Sequence, residues 1–128
     1  MGFAGGPQLD VKDYVALLQL QNGYAVSEMK VEPSDWLAGQ DLQGAALTRE
    51  GVLVLGIQKP DGSFIGAPRG DNRIEVDDIL VLYAPIRRLQ ELDQRRAGPP
   101  GEEAHEEAVE EHREEQAEEA AGGQAVPP

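Results

Sequence analysis

Cysteine is absent from this chain, which excludes disulfides and any mechanism that depends on a thiol. Histidine is almost absent, because His105 and His112 are the only two and both lie in the C-terminal part. The three serines, Ser27, Ser34 and Ser63, therefore have no histidine nearby in the sequence to activate them as nucleophiles. This inventory predicts a protein that is not an enzyme.

Long apolar runs and basic stretches are also missing. No run approaches the roughly 18 residues typical of a membrane span. The start, Met1 to Gly6, lacks the basic region and the apolar stretch of a signal peptide. We therefore expect a soluble chain with no direct membrane insertion. The net charge of −13 predicts no nucleic-acid partner, because phosphate backbones would repel the chain and no basic patch with interleaved aromatics exists.

The acidic residues are concentrated in a low-complexity tail, residues 97–128. This tail holds ten Glu and one Arg, so it contributes −9 of the total −13. Glu pairs recur every four residues, and like charges at that helical spacing repel one another. Because no apolar stripe offers a docking face, we expect a solvated, fraying helix or a disordered tail. His105 and His112 lie among these glutamates, but structural metal sites use closed, buried ligand sets, so we predict no metal site.

The chain begins with a flexible leader, residues 1–8, followed by an amphipathic helix over residues 9–22. Asp10 can cap this helix, and Asn22-Gly23 can end it. Its apolar face consists of Val11, Tyr14, Val15 and Leu18 at helical spacing, widened by Leu17 and Leu20. We interpret it as a packing helix; the alternative is a connector from an upstream domain.

Residues 23–96 predict one folded domain of the α+β class. Strands are predicted at 24–31, 52–58, 63–66 and 79–83, with a short edge strand at 72–76 and helices near 42–50 and 86–96. Pro60-Asp61-Gly62 has the turn chemistry of a hairpin. The expected architecture is a small two-layer unit: a mainly antiparallel sheet of four to five strands, with helices packed on one face.

The two central strands, Val52 to Ile57 and Ile79 to Tyr83, are apolar on both faces, unlike a sheet with one wet face. The predicted helices cover one face, so something must cover the other. The candidates are the helix at residues 9–22 and a second copy of the protein. A body of about 70 residues is also only marginally able to support a core by itself. Both points predict a homodimer.

The stretch between these strands holds the only folded residues with plausible ligand chemistry. Ile65, Ala67, Pro68, Arg69, Asn72 and Arg73 combine apolar walls with two guanidinium groups and an amide. Arginine can clamp a phosphate in bidentate fashion, and asparagine can read a base edge. We predict a ligand site at these six residues; the alternative is an ordinary loop with solvated arginines.

At these residues the sequence resembles the TrkA C-terminal domain family, also called the RCK C-terminal domain, over about Tyr24 to Arg95. The resemblance lies in the segment Leu37-Ala38-Gly39-Gln40-Asp41-Leu42, the strand Gly51 to Ile57, the loop Ala67-Pro68-Arg69-Gly70-Asp71 and the strand Asp78 to Tyr83. Family members usually have Gly-Asp before the last strand. Here Asp77 replaces that Gly, and Asp tolerates positive φ better than most residues.

The resemblance implies a dimeric, non-enzymatic regulatory module of a potassium or cation transport system: a channel, an uptake system or a cation/proton antiporter. It implies a cytoplasmic location, peripheral at the inner face of the membrane, with a membrane-embedded transporter or channel subunit as partner. It implies no permanent cofactor, but a regulatory ligand such as cyclic di-AMP or another nucleotide. The nucleotide-binding Rossmann domain that often precedes this unit is absent here, so regulation through it is not carried over. The alternative is a dimerisation or interaction domain with no small-molecule ligand.

Overall fold

A four-stranded antiparallel sheet forms the centre of the computed structural model, which describes residues 23–124. The strands are β1 (Tyr24–Lys30), β2 (Leu53–Gln58), β3 (Phe64–Gly66) and β4 (Ile79–Pro85), arranged in the order β1-β4-β2-β3. This architecture confirms the predicted α+β class and the mainly antiparallel sheet. The predicted leader (residues 1–8) and amphipathic helix (residues 9–22) lie outside the described residues.

Alternate residues of the long strands form the core on one face of the sheet. Ala25 and Met29 of β1 lie opposite Ala84 and Leu80 of β4, and all four are buried. Two helices precede the C-terminal part of the chain: α1 (Leu42–Ala45) and α2 (Ile86–Gln94). Helix α2 closes this face of the sheet with Leu89 and Leu92, both buried. Each such leucine stabilises the fold by about 1.5–3 kcal/mol relative to an exposed one.

The predicted helix at 42–50 is divided in two. Helix α1 (Leu42–Ala45) is capped by Asp41, whose Oδ1 accepts a hydrogen bond from the Gly44 amide at 2.6 Å. A 3₁₀ helix follows at Leu47–Glu50, hereafter the 47–50 turn. The division falls at Ala46, which has a left-handed backbone with φ 50°. Gly51, at φ 82°, ends the turn, because glycine adopts this conformation without steric cost.

The edge strand predicted at 72–76 is not formed, and this prediction is wrong. Ile74 instead exchanges hydrogen bonds with the segment before α1: its amide donates to the Gln40 carbonyl, and its carbonyl accepts from the Gly39 amide, both at 2.8 Å. Ile74 is fully buried in this position. The alternating pattern at 72–76 therefore reflects the burial of Ile74, not a strand of the sheet.

Helix α3 spans Pro99–Gln124 and contains most of the acidic tail. Its first half packs on the 47–50 turn, and Ala108 and Val109 are buried there. The expectation that nothing docks the tail is therefore wrong. The docking face was missed because it consists of small and polar residues rather than large apolar ones. No helix among residues 23–124, α3 included, combines the length and apolarity that crossing a bilayer requires.

Candidate ligand groove

The loop between β3 and β4 is fixed by hydrogen bonds rather than left open. The Asn72 side-chain oxygen accepts from the Arg69 amide at 2.7 Å, and the Asn72 amide donates back to the Arg69 carbonyl at 3.0 Å. Ala67, with a left-handed φ of 48°, donates its amide to the Leu55 carbonyl of β2 at 2.9 Å. The Gln43 amide of α1 donates to the Gly70 carbonyl at 2.9 Å. The loop is therefore held between β2 and α1.

The structure separates the six predicted ligand residues. Pro68 and Arg69 line a groove of about 390 Å³ beside α1. Ile65 instead packs against the core, and Asn72 uses its amide to close the loop. Arg73 donates from Nη1 to the Gly39 carbonyl at 2.6 Å, so its guanidinium braces the neighbouring backbone. Ala67, described above, does not line the groove. Among the six, only the Pro68–Arg69 pair is thus placed for direct ligand contact.

Half of the groove comes from residues that the sequence predicted to serve packing alone. The walls are supplied by α1, the 47–50 turn, the start of β2 with the residue before it, and the loop between β3 and β4. They comprise Leu42, Gln43, Leu47, Thr48, Val52, Leu53, Val54, Pro68, Arg69 and Gly70. A volume near 390 Å³ lies in the range typical of small-molecule sites.

One cation and two neutral polar groups stand among these apolar walls. Within residues 23–124, the Arg69 guanidinium has no hydrogen-bond or ion-pair partner, and the residue is exposed. Thr48 and Gln43 add a hydroxyl and an amide, also exposed. No cluster of three potential metal ligands occurs in the described part of the chain. The arrangement suits a ligand with a flat apolar portion and at least one anionic group.

A buried charge cluster lies at the end of the 47–50 turn. The Glu50 side chain is fully buried, and its two oxygens accept from the Arg95 guanidinium at 2.8 and 2.9 Å. His105 of α3 places Nδ1 2.5 Å from the same carboxylate. Arg95 also pairs with Glu91. Burial alone would lower the pKa of Arg95, but the hydrogen bonds and charges of Glu50 and Glu91 raise that pKa above its usual value.

Trp36 joins this cluster to the acidic helix. Its ring stacks on the His105 ring with centroids 5.0 Å apart, and the Arg95 guanidinium lies 4.7 Å from its centroid. Its indole N–H donates to the Glu102 carboxylate at 2.7 Å. Trp36 is itself part of the core, since it is 4% exposed. Its contacts with two α3 residues, Glu102 and His105, were not predicted, because both belong to the segment expected to be solvated.

A second buried carboxylate, Asp78, lies at the start of β4. Its Oδ2 receives the Lys59 ammonium at 2.7 Å and the Glu75 amide at 2.8 Å, whereas Oδ1 has no hydrogen-bond partner in the described chain. Burial alone would lower the pKa of Lys59, but the hydrogen bonds and charges of Asp78 and Glu75 raise it overall. This pair fixes the hairpin turn against the entry to β4.

The sheet face opposite the helices carries an exposed apolar patch. Leu53 of β2 is 48% exposed and shares this face with Tyr83, its partner in β4. Leu55 lies at a bulge in β2 and is 42% exposed. Phe64 lies over Gly56 on the same face and is 58% exposed. Because Leu53 also lines the groove, the patch and the groove share a border.

Fold and groove together define a small two-layer α+β domain with an antiparallel sheet, helices on one face and an open groove at the sheet margin. The sequence model of the TrkA-C domain family matches residues 26–95 of the chain. The chain belongs to this family. The match ends at Arg95 of the charge cluster, and helix α3 lies beyond it. None of the curated proteins matches the chain.

Solved structures with a similar fold are RCK C-terminal domains or contain them. The RCK C domain of the potassium transport protein KtrA in complex with cyclic di-AMP is 21% identical, with a TM-score of 0.50, over 62% of this chain and 91% of that chain. The GsuK channel bound to NAD is 20% identical, with a TM-score of 0.47, over 57% of this chain and only 13% of that chain.

BusR from S. agalactiae has been solved in two relevant forms, both 19% identical with a TM-score of 0.48. One is an RCK_C domain dimer with cyclic di-AMP, matched over 56% of this chain and 97% of that chain. The other is BusR with its busA-promotor DNA, matched over 67% and 46%. At these identities, the KtrA likeness supports the fold alone.

Proposed function

We propose that this chain is a non-enzymatic, ligand-binding regulatory module of a potassium or cation transport system. The observation that carries the proposal is the groove beside α1 in a TrkA-C domain. In it, the Arg69 guanidinium, which has no partner among residues 23–124, stands among apolar walls. The module acts at the cytoplasmic face of the membrane through a channel, uptake-system or antiporter subunit. The partner of the module is a protein subunit of that transport system.

The ligand is a nucleotide, and a cyclic dinucleotide such as cyclic di-AMP is the first probe. A base has the flat apolar surface that the leucine and valine walls can cover, and a phosphate supplies the anion for Arg69. The KtrA domain was solved with cyclic di-AMP, which makes this molecule the natural starting point. No permanent cofactor is required.

A thermal-shift titration tests the ligand. Cyclic di-AMP at 100 times its dissociation constant should stabilise the protein by about 2.7 kcal/mol. Mononucleotides and monovalent and divalent cations complete the panel. We expect Arg69→Ala to weaken the response at least tenfold, because it removes the cation of the groove. Lys30→Ala is the matched control, since Lys30 is also an exposed cation and does not line the groove.

Arg73→Ala serves as a second control. Since Arg73 braces the Gly39 backbone, its removal should lower overall stability without abolishing the ligand response. A response that survives Arg69→Ala would overturn the assignment of the groove. No response to any member of the panel would overturn the ligand-binding proposal.

The module acts as a homodimer. Leu53, Leu55 and Phe64 expose apolar surface on one face, and clustered exposure of this kind is typical of protein interfaces. Light scattering at micromolar concentration should give the mass of a dimer. Leu55→Glu should shift that mass to a monomer, whereas Glu107→Gln on exposed α3 surface should not. A wild-type monomer would contradict the proposal.

The second candidate is a dimerisation domain without a small-molecule ligand. The same exposed patch favours it, because Leu53, Leu55 and Phe64 require a protein partner whether or not the groove is filled. A dimer by light scattering together with silence across the ligand panel would select this candidate.

A further inference from the structure

The candidate groove and helix α3 both contact one short element, the 47–50 turn. Leu47 and Thr48 supply part of the groove wall. Glu50, at the end of the same turn, is buried and bonds to Arg95 and to His105 of α3. A single 3₁₀ turn therefore joins a ligand surface to the docking surface of the acidic helix.

Left-handed residues bound the turn at both ends: Ala46 at φ 50° and Gly51 at φ 82°. The amides of the two residues after the turn bond back to it: Gly51 donates to the Thr48 carbonyl and Val52 to the Leu47 carbonyl, both at 3.1 Å. An alanine in the left-handed region is strained by roughly 1 kcal/mol. Contacts from neighbouring elements therefore help to stabilise the turn in this position.

Helix α3 supplies those contacts. His105 bonds Glu50 from a position stacked on Trp36, and Ala108 and Val109 are buried beside it. His112 lies so close to Gly51 that a Cβ added there would meet its ring at 2.8 Å. Helix α3 thus contacts both Glu50, the last residue of the turn, and Gly51, the residue after it.

We propose that helix α3 is an internal regulator of the groove: when docked, it positions the 47–50 turn, and thereby Leu47 and Thr48, for ligand binding. The coupling is reciprocal, so a ligand in the groove strengthens the docking of α3. Because α3 lies outside residues 26–95, this control belongs to the chain rather than to the family domain. The effect on ligand binding rests on the proposed function. The link between α3 and the turn does not depend on it.

Hydrogen exchange in Gly101→Ala tests that link without a ligand. A Cβ at Gly101 would lie 2.2 Å from the Arg96 carbonyl oxygen and 2.5 Å from the Trp36 ring. The substitution should therefore displace the start of α3 from its contacts with Trp36. Emission of Trp36, the only tryptophan, should shift because its neighbours His105 and Glu102 withdraw. Amides at 47–52 should exchange about fivefold faster or more, while those of β1 and β4 keep their protection.

Two further variants keep the test decisive. His105→Ala removes the bond to Glu50 without the steric clash and should reproduce the faster exchange at 47–52 if Gly101→Ala folds poorly. Glu107→Gln, on the exposed side of α3, should change neither the emission nor the exchange. If α3 loses protection in these variants while residues 47–52 keep theirs, the proposal is overturned.

Cyclic di-AMP then separates this inference from the proposed function. If it binds the wild type, its affinity for His105→Ala should fall about fivefold or more. An unchanged affinity would overturn the regulation of the groove. If it does not bind the wild type, the ligand proposal fails, and the exchange experiment alone decides whether α3 controls the turn.

Discussion

Two buried carboxylates, Glu50 and Asp78, stabilise different parts of this molecule in different ways. Both side chains are fully buried and each is met by a cation. Asp78 takes its cation from Lys59, within the hairpin and inside the family-matched segment. Glu50 draws on Arg95 and on His105, which lie 45 and 55 residues away. The first carboxylate joins two parts of the family-matched segment, whereas the second also attaches helix α3, which lies outside that segment.

The number of partners also differs between the two sites. Both Glu50 oxygens accept hydrogen bonds, so three elements depend on this one carboxylate. Asp78 leaves one buried oxygen without a partner in the described chain. Removing one member of a buried pair strands the other as an uncompensated charge. Removing the cation at the Glu50 site should therefore disturb more elements of the structure than removing the cation at the Asp78 site.

Arg95→Met should have the largest effect. It strands Glu50, releases Glu91 and removes the cation from the face of Trp36. We expect the free energy of unfolding to fall by about 3–5 kcal/mol, measured by urea denaturation. The double variant Glu50→Gln/Arg95→Met should lose less than the single one, because no buried charge then remains. Arg113→Met, which breaks an exposed pair with Glu110, is the control and should stay within about 0.5 kcal/mol. A loss as small as that of the control would show that the cluster does not stabilise the fold.

Lys59→Met should come second, with a loss of about 2–3 kcal/mol. Lys59 keeps one-fifth of its side chain exposed, so water can partly compensate Asp78. Its raised pKa sets the pH dependence: the stabilisation is present below the ordinary value of 10.5 and is lost as pH rises through the higher folded value. Urea denaturation across pH 9 to 12 should show a shallower fall for the variant. Equal falls would contradict the pairing. Unlike Arg95→Met, this variant should leave Trp36 emission unchanged.

These two sites also separate what the sequence could predict from what it could not. The hairpin turn and β4 follow from local chemistry: proline and glycine in the turn, and an apolar strand. Those elements were predicted correctly. The groove was only partly foreseen, because Leu47 and Thr48 meet Arg69 through tertiary contacts.

The docking of α3 was missed for the same reason. Its contacts use Gly101, His105, Ala108 and His112, and none of these gives a hydrophobic stripe by type. Their spacing of three to four residues was visible. Its meaning depended on Glu50 being buried, and burial of a single glutamate leaves no trace in sequence pattern.

Trp36→Phe should have a smaller effect on stability than the two substitutions at the buried charge pairs. Phenylalanine keeps the stacking surface for His105 but loses the indole N–H that donates to Glu102. We expect a loss of about 1 kcal/mol, typical of one hydrogen bond, by urea denaturation. Glu102→Gln retains an acceptor and should lose less. If Trp36→Phe is neutral, the stacking alone holds the start of α3.

Glu111→Gln should give the smallest change, because its pairs with Arg87 and Arg88 lie at the surface, where Glu111 is 45% exposed. The hydrogen bond from Arg87 holds the pKa of Glu111 below its usual 4.5, so its stabilisation is present above that pH and is lost as pH falls through the lower folded value. Solvent screening limits the effect to about 0.5 kcal/mol, decreasing further with salt. The measurement is α3 amide exchange at pH 5 and pH 3, in low and high salt. Equal acid sensitivity of wild type and variant would show that the far half of α3 is held by its continuity with the Glu50 anchor rather than by its own surface pairs.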